Sequence, residues 1–153
     1  MATSEERLEQ EESKLILAAY FAEAMTEELE KERALEIVLK GWAKYGANRI
    51  KDRLKGVPTE DRLEALGEWF KKQAETRPEL KVVEATPKKL SVEFSWCATY
   101  EVCKKAGNME LCQMYCDSDF IVTDVIHPKV KLVRDKELAY GATICNLSWV
   151  MED

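Results

Sequence analysis

The segment GNMELCQMYCDSD (107–119) combines thiols and carboxylates at helical spacing. On a helix that starts at Met109, Cys112, Cys116 and Asp119 share one face with Met109. Cysteine and methionine are ordinary on a buried helix face. An aspartate on the same face is costly to bury unless it is paired or faces a pocket. Asp119 therefore favours a pocket along this face, and a plain buried stripe is the alternative.

A metal site is a second hypothesis for the cysteines. Cys97, Cys103, Cys112 and Cys116 supply enough thiolates for zinc or an iron–sulfur cluster. Their gaps of five, eight and three residues match no standard zinc knuckle, and no paired CxxC is present. The cofactor is therefore left open, with zinc and an iron–sulfur cluster as candidates.

Nucleophilic catalysis by a thiol is a third hypothesis. Cys97 stands where a predicted strand ends and a helix begins, so backbone N–H groups could stabilise its thiolate. His127, the sole histidine, precedes a proline in a predicted loop; it is a candidate proton carrier, or a solvated loop residue. Arg134 falls in a predicted strand, where it either clamps a substrate carboxylate or is an exposed edge charge.

Composition bounds the class of protein and its partners. The chain has 153 residues, a net charge of −6 and a pI near 5.1, which argues against nucleic-acid binding. It has no apolar run of about 18 residues and no secretory-type start, so no membrane partner is expected. An odd number of cysteines, five, favours a reducing cytoplasm over disulfides. We expect a cytoplasmic protein with a small-molecule substrate or ligand.

Hydrophobic periodicity predicts an α+β fold in a single domain spanning 1–153. Residues 1–78 read as helices, with a break suggested at Gly46. Residues 79–153 read as strands, two short helices and strands, giving an antiparallel sheet of about four strands packed with helices. The long amphipathic N-terminal helices make a homo-oligomer plausible. Strands are predicted at 81–86, 89–96, 129–135 and 143–151.

The C-terminal half carries an ordered set of motifs that resembles one known family. The motifs are a cysteine ending a strand, a Gly-x-x-Glu-Leu run, a Tyr-Cys-x-x-Asp helix, a proline before a strand with an arginine, and a final Gly-x-x-x-Cys strand. In this sequence they are Cys97; Gly107, Glu110 and Leu111; Tyr115, Cys116 and Asp119; Pro128 and Arg134; Gly141 and Cys145. Together with the helical lead-in, residues 15–150 resemble the L-2-amino-thiazoline-4-carboxylic acid hydrolase family.

This resemblance implies hydrolytic opening of a cyclic amidine-like thiazoline to an N-carbamoyl-cysteine. It also implies a fold similar to vinyl-reductase-type ligand-binding domains. The enzyme hypothesis assigns catalysis to Cys97, Cys116, Asp119 and His127, and substrate binding to Arg134 and Tyr115. The alternative is a sensor or accessory protein that holds a metal, a cluster or a small ligand without turnover.

Overall fold

The computed structural model describes residues 3–153, which form five α-helices and a four-stranded antiparallel sheet, and so confirms the α+β class. The N-terminal helices are α1 (Ser4–Glu28), α2 (Lys31–Arg53) and α3 (Arg62–Ala74). The later elements are β1 (Leu80–Thr86), β2 (Lys89–Phe94), α4 (Ala98–Ala106), α5 (Met109–Val122), β3 (Val130–Val133) and β4 (Cys145–Met151).

The first two helices begin and end for local reasons. Thr3 and Glu6 form a capping box at the start of α1, each side chain accepting from the other residue's N–H. The chain turns at Leu29, which is extended, and not at Gly46. The expected break at Gly46 is wrong because α2 continues through it. A Cβ there would stand 3.4 Å from a Val122 methyl, so the glycine suits the close approach of α2 to the end of α5.

The sheet has the strand order β1-β2-β4-β3, with every neighbouring pair antiparallel. In its register Leu90 and Leu132 both stand beside Trp149 of β4. Alternate side chains of these strands point to one face. That face packs with α3 in a core cluster comprising Leu63, Leu66, Phe70, Leu80, Leu90, Val92, Ile126, Val130, Leu147 and Trp149.

A second core cluster joins the N-terminal helices to the cysteine-bearing helices. Residues of α1, α2, α4 and α5 meet there: Leu15, Val38, Trp42, Val102, Cys103, Leu111 and Cys112, with Ala139 beside them. The apolar faces of α1 and α2 therefore pack against α4 and α5, the helices that carry Cys103 and Cys112. No helix within residues 3–153 is long and apolar enough to cross a membrane.

The sheet core supports a prediction on stability. Leu90 has no exposed surface, so Leu90→Ala should leave a cavity and lower the free energy of unfolding by about 2–5 kcal/mol in urea denaturation. Leu17→Ala makes the same chemical change at a side chain that is 57% exposed, and should shift stability by less than about 0.5 kcal/mol. Equal losses in the two variants would contradict this core.

Candidate active site

A cavity of about 420 Å³ lies where α1, α3 and α5 meet the β2–α4 junction and the start of β4. Its wall includes Leu147 of the sheet core and Tyr115 and Cys116, which pack against the second core cluster. The lining side chains are Arg7, Gln10, Glu11, Arg49, Trp69, Gln73, Arg77, Phe94, Trp96, Cys97, Ala98, Thr99, Tyr115, Cys116, Asp119, Arg134, Cys145 and Leu147. Its volume suits a small ligand, and its wall is largely apolar with a few convergent polar groups.

Most of the residues selected from the sequence reach this cavity. Cys97, Tyr115, Cys116, Asp119 and Arg134 all line it. Tyr115 is held on the wall by an edge-to-face contact with Trp42, at 5.0 Å between ring centroids, and by Lys14, whose ammonium is 5.0 Å from its ring.

His127 lies elsewhere. It stands in the turn before β3, where its Nδ1 accepts a hydrogen bond of 3.0 Å from the Lys129 N–H. It is not among the lining residues of the cavity. This hydrogen bond stabilises the local turn, and His127 does not contribute to the cavity wall.

Cys145 is a cavity residue that the sequence analysis named only as part of a motif. It begins β4 and pairs in register with Phe94, three residues before Cys97. Its sulfur accepts the Leu138 N–H at 3.2 Å, and burial raises the pKa of its thiol. The pairing of β2 with β4 would have indicated this neighbourhood, but the sequence alone does not reveal that pairing.

Cys97 occupies the predicted junction, as the N-cap of α4. Burial nevertheless raises the pKa of its thiol to about 11. The N–H groups of Tyr100 and Thr99 act in the opposite direction, but neither makes a full capping hydrogen bond to the sulfur. Desolvation therefore outweighs the helix N-terminus, and Cys97 is a neutral thiol at neutral pH.

Two of the cysteines belong to the core. Cys103 is 2% exposed and Cys112 has no exposed surface, and both pack between the helices. Hydrogen bonding with the Cys103 thiol raises the pKa of Cys112. Within residues 3–153 no group of three or more Cys, His, Asp or Glu side chains is arranged to hold a metal ion. The four thiols of the metal hypothesis thus divide between core and cavity.

Arg134 is the centre of a buried ionic cluster. It follows β3, its side chain is 2% exposed, and it is neither an open clamp nor an exposed edge charge. One guanidinium nitrogen donates to the Cys116 carbonyl at 2.9 Å. Carboxylate oxygens surround the rest: Glu137 at 3.0 Å, Asp117 at 3.2 Å and Asp119 at 3.5 Å.

Asp119 is the group in the cavity whose protonation is most clearly poised for chemistry. Its side chain opens toward the cavity, with 39% of its surface accessible, yet protein surrounds it on the other sides. Its pKa is raised to about 7, chiefly by burial and also by the charges of Glu137 and Asp117, while the charge of Arg134 acts in the opposite direction. A carboxyl with this pKa both accepts and donates a proton near neutral pH.

The α+β fold encloses a cavity whose size suits a small ligand, and thiols and a carboxyl of pKa about 7 line it. The chain belongs to the L-2-amino-thiazoline-4-carboxylic acid hydrolase family, whose model matches residues 9–149. Among solved structures it is similar to a trafficking protein particle complex subunit 3 from Naegleria fowleri, solved covalently bound to palmitic acid. That likeness has a TM-score of 0.54 at 14% identity, covers 94% of this chain and 96% of that chain, and concerns the fold. A comparison with curated proteins found no match.

The division of the cysteines predicts their reactivity. Cys103 and Cys112 should resist iodoacetamide until the chain unfolds, because Cys103 is only 2% exposed and Cys112 has no exposed surface. Cys97 should react slowly at pH 7, and its rate should keep rising toward pH 11, because only the thiolate is nucleophilic. Peptide mass spectrometry after timed labelling gives each rate. Rapid labelling of Cys97 at pH 7, or any native labelling of Cys112, would be inconsistent with this arrangement.

Asp119 should make stability depend on pH. The fold raises its pKa from 3.8 to about 7, so its contribution is fully present below about pH 4 and is lost as the pH rises through 7. Asp119→Asn stays neutral throughout. Its stability relative to the wild type should therefore increase between about pH 4 and 7 and then level off, as measured by urea denaturation. A constant difference, or one that shrinks with pH, would refute the raised pKa.

Proposed function

We propose that the protein hydrolyses a small cyclic amidine of the 2-amino-thiazoline type in this cavity and opens its ring to an N-carbamoyl-cysteine-like product. Membership of the family supports hydrolysis in general terms. The single observation that carries the proposal is the position of Asp119, a carboxyl of pKa about 7 on the wall of the cavity. The substrate class rests on the family's description.

The proposed reaction consumes one water molecule. The carboxylate of Asp119 accepts a proton from a water molecule, and the oxygen of that water bonds to the ring carbon between nitrogen and sulfur. As the carbon–oxygen bond forms, the electron pair of the carbon–nitrogen double bond moves to the ring nitrogen, which then takes up the proton of the new hydroxyl group. The tetrahedral species collapses to a carbonyl, the carbon–sulfur bond breaks, and the leaving sulfur takes up the proton held by the Asp119 carboxylic acid. The exocyclic nitrogen and the new carbonyl form the carbamoyl group on the former ring nitrogen, so substrate plus water equals product.

The state of the thiols favours water as the nucleophile. With a pKa of about 11, Cys97 is ionised in roughly one molecule in 10⁴ at pH 7. Cys97, Cys116 and Cys145 are better suited to form a polarizable wall for the sulfur of the ring. In this scheme Arg134 positions Asp119 and the Cys116 carbonyl, and does not bind the substrate.

A ligand-binding module without turnover is the second candidate, and the neutral thiols favour it. Burial raises the pKa of both Cys97 and Cys145, which is unlike the lowered pKa of most catalytic cysteines. Thiazoline turnover by the wild-type protein separates the two candidates directly. Stoichiometric binding with no product would support the module and contradict hydrolysis.

The role of Asp119 predicts the effect of one substitution. Asp119→Asn keeps the size of the side chain but cannot move the proton, so kcat for 2-amino-thiazoline-4-carboxylate should fall by about 10²–10⁴-fold. In the wild type, kcat/KM should rise with pH to a plateau above about 7, as Asp119 ionises.

Asp124→Asn is the matched control, since Asp124 is exposed and lies outside the cavity lining. It should retain wild-type rates. If Asp119→Asn turned the substrate over as fast as Asp124→Asn, Asp119 would not be the proton carrier.

A further inference from the structure

The arginines around the cavity differ in whether their charge is already balanced. Arg134 is surrounded by carboxylates. Arg7 and Arg77 both reach the same oxygen of Glu79, each at 2.8 Å, and Glu79 is 8% exposed. These three guanidinium groups are therefore engaged within the protein, and a ligand carboxylate gains little from them.

Arg49 and Arg53 are in a different situation. They lie four residues apart on α2, and so on the same side of the helix. Within residues 3–153 neither arginine makes an ion pair or a hydrogen bond. Arg49 lines the cavity, with its guanidinium 5.7 Å from the Tyr45 ring. Arg53 is not itself a lining residue, but its guanidinium lies over the ring of Trp69, which is one, at 3.6 Å from the ring centroid.

Arg53 carries an electrostatic cost that a bound anion would reduce. Burial, followed by the charge of Arg49, lowers the pKa of Arg53 to about 10. A guanidinium that is half-buried, stacked on a ring and next to a like charge has donors ready for an acceptor. An anion placed against both arginines would supply that acceptor and cancel their repulsion.

We infer that Arg49 and Arg53, steadied by Trp69, form the subsite that receives the carboxylate of a small anionic ligand in the cavity. The inference rests on the proposed function for the identity of the ligand, and it transfers to this pair the anion-binding role that the sequence suggested for Arg134. The ligand then lies with its carboxylate against Arg49 and its ring toward Asp119 and the thiols that line the same cavity.

The test measures binding without requiring turnover. The probe is 2-aminothiazole-4-carboxylate, the aromatic analogue that resists hydrolysis, and its uncharged counterpart is 2-aminothiazole. Isothermal titration of Arg49→Gln should show a Kd for the carboxylate about 10- to 100-fold weaker than wild type, because a charge-assisted hydrogen-bond pair is lost. Binding of 2-aminothiazole should not change.

Lys51→Gln is the matched control, since it removes one positive charge from an exposed residue that lies between Arg49 and Arg53 in the sequence and outside the cavity lining. It should leave both affinities unchanged. Three results would overturn the subsite: unchanged carboxylate binding in Arg49→Gln, an equal loss in Lys51→Gln, or no carboxylate binding by the wild type. Failure of the proposed function is distinguishable, because it is the absence of thiazoline turnover in a wild-type protein that still binds the carboxylate through Arg49.

Discussion

The buried guanidinium of Arg134 is the constraint on which the site depends. A charge that is 2% exposed loses the solvation that water would provide, so the protein must surround it with partners. Those partners come mostly from the last turns of α5, through the Cys116 carbonyl, Asp117 and Asp119. These contacts fix the orientation of α5 against the end of β3, although solvent screens part of each ion pair because the Asp117 and Asp119 side chains are 45% and 39% exposed.

Burial sets the protonation of Asp119, and the charges of the cluster around Arg134 modify it. One guanidinium faces three carboxyl groups, so the cluster holds more negative charge than positive when all are ionised. Of the three carboxyl groups, Asp119 is the one that lines the cavity. The protein around it removes much of its solvation, and this raises its pKa to about 7. A carboxyl that helps to hold the Arg134 guanidinium is thereby also poised, by its own burial, to exchange protons.

Local patterns predicted much of this arrangement. The alternation of residues predicted all four strands within about two residues of their ends, and the helical spacing correctly placed Cys116 and Asp119 on the cavity side of α5. The same spacing grouped Cys112 with them, yet Cys112 faces the α1–α2–α4 core. A helix face is wide enough to serve both a core and a cavity, and the sequence does not show where one gives way to the other.

The features that the sequence could not provide are all non-local. The partners of Arg134 on α5 lie 15 to 18 residues away, and Glu137 is a local partner, so its burial against α5 is invisible to periodicity. The effect of desolvation on Cys97 is set by packing from several elements, and it reverses the expectation from its helix N-terminal position. That Arg49 and Arg53 make no ion pair among residues 3–153 is likewise known only once the positions of the other charged side chains are known.

A direct titration of Asp119 tests the central claim most sharply. ¹³C NMR of protein labelled at the aspartate carboxyl carbon, with the resonance assigned by its loss in Asp119→Asn, follows this group alone as the pH changes. The account predicts a midpoint of about 7. A midpoint near the ordinary value of 3.8 would mean that Asp119 is fully ionised at neutral pH, and would contradict the proposed site.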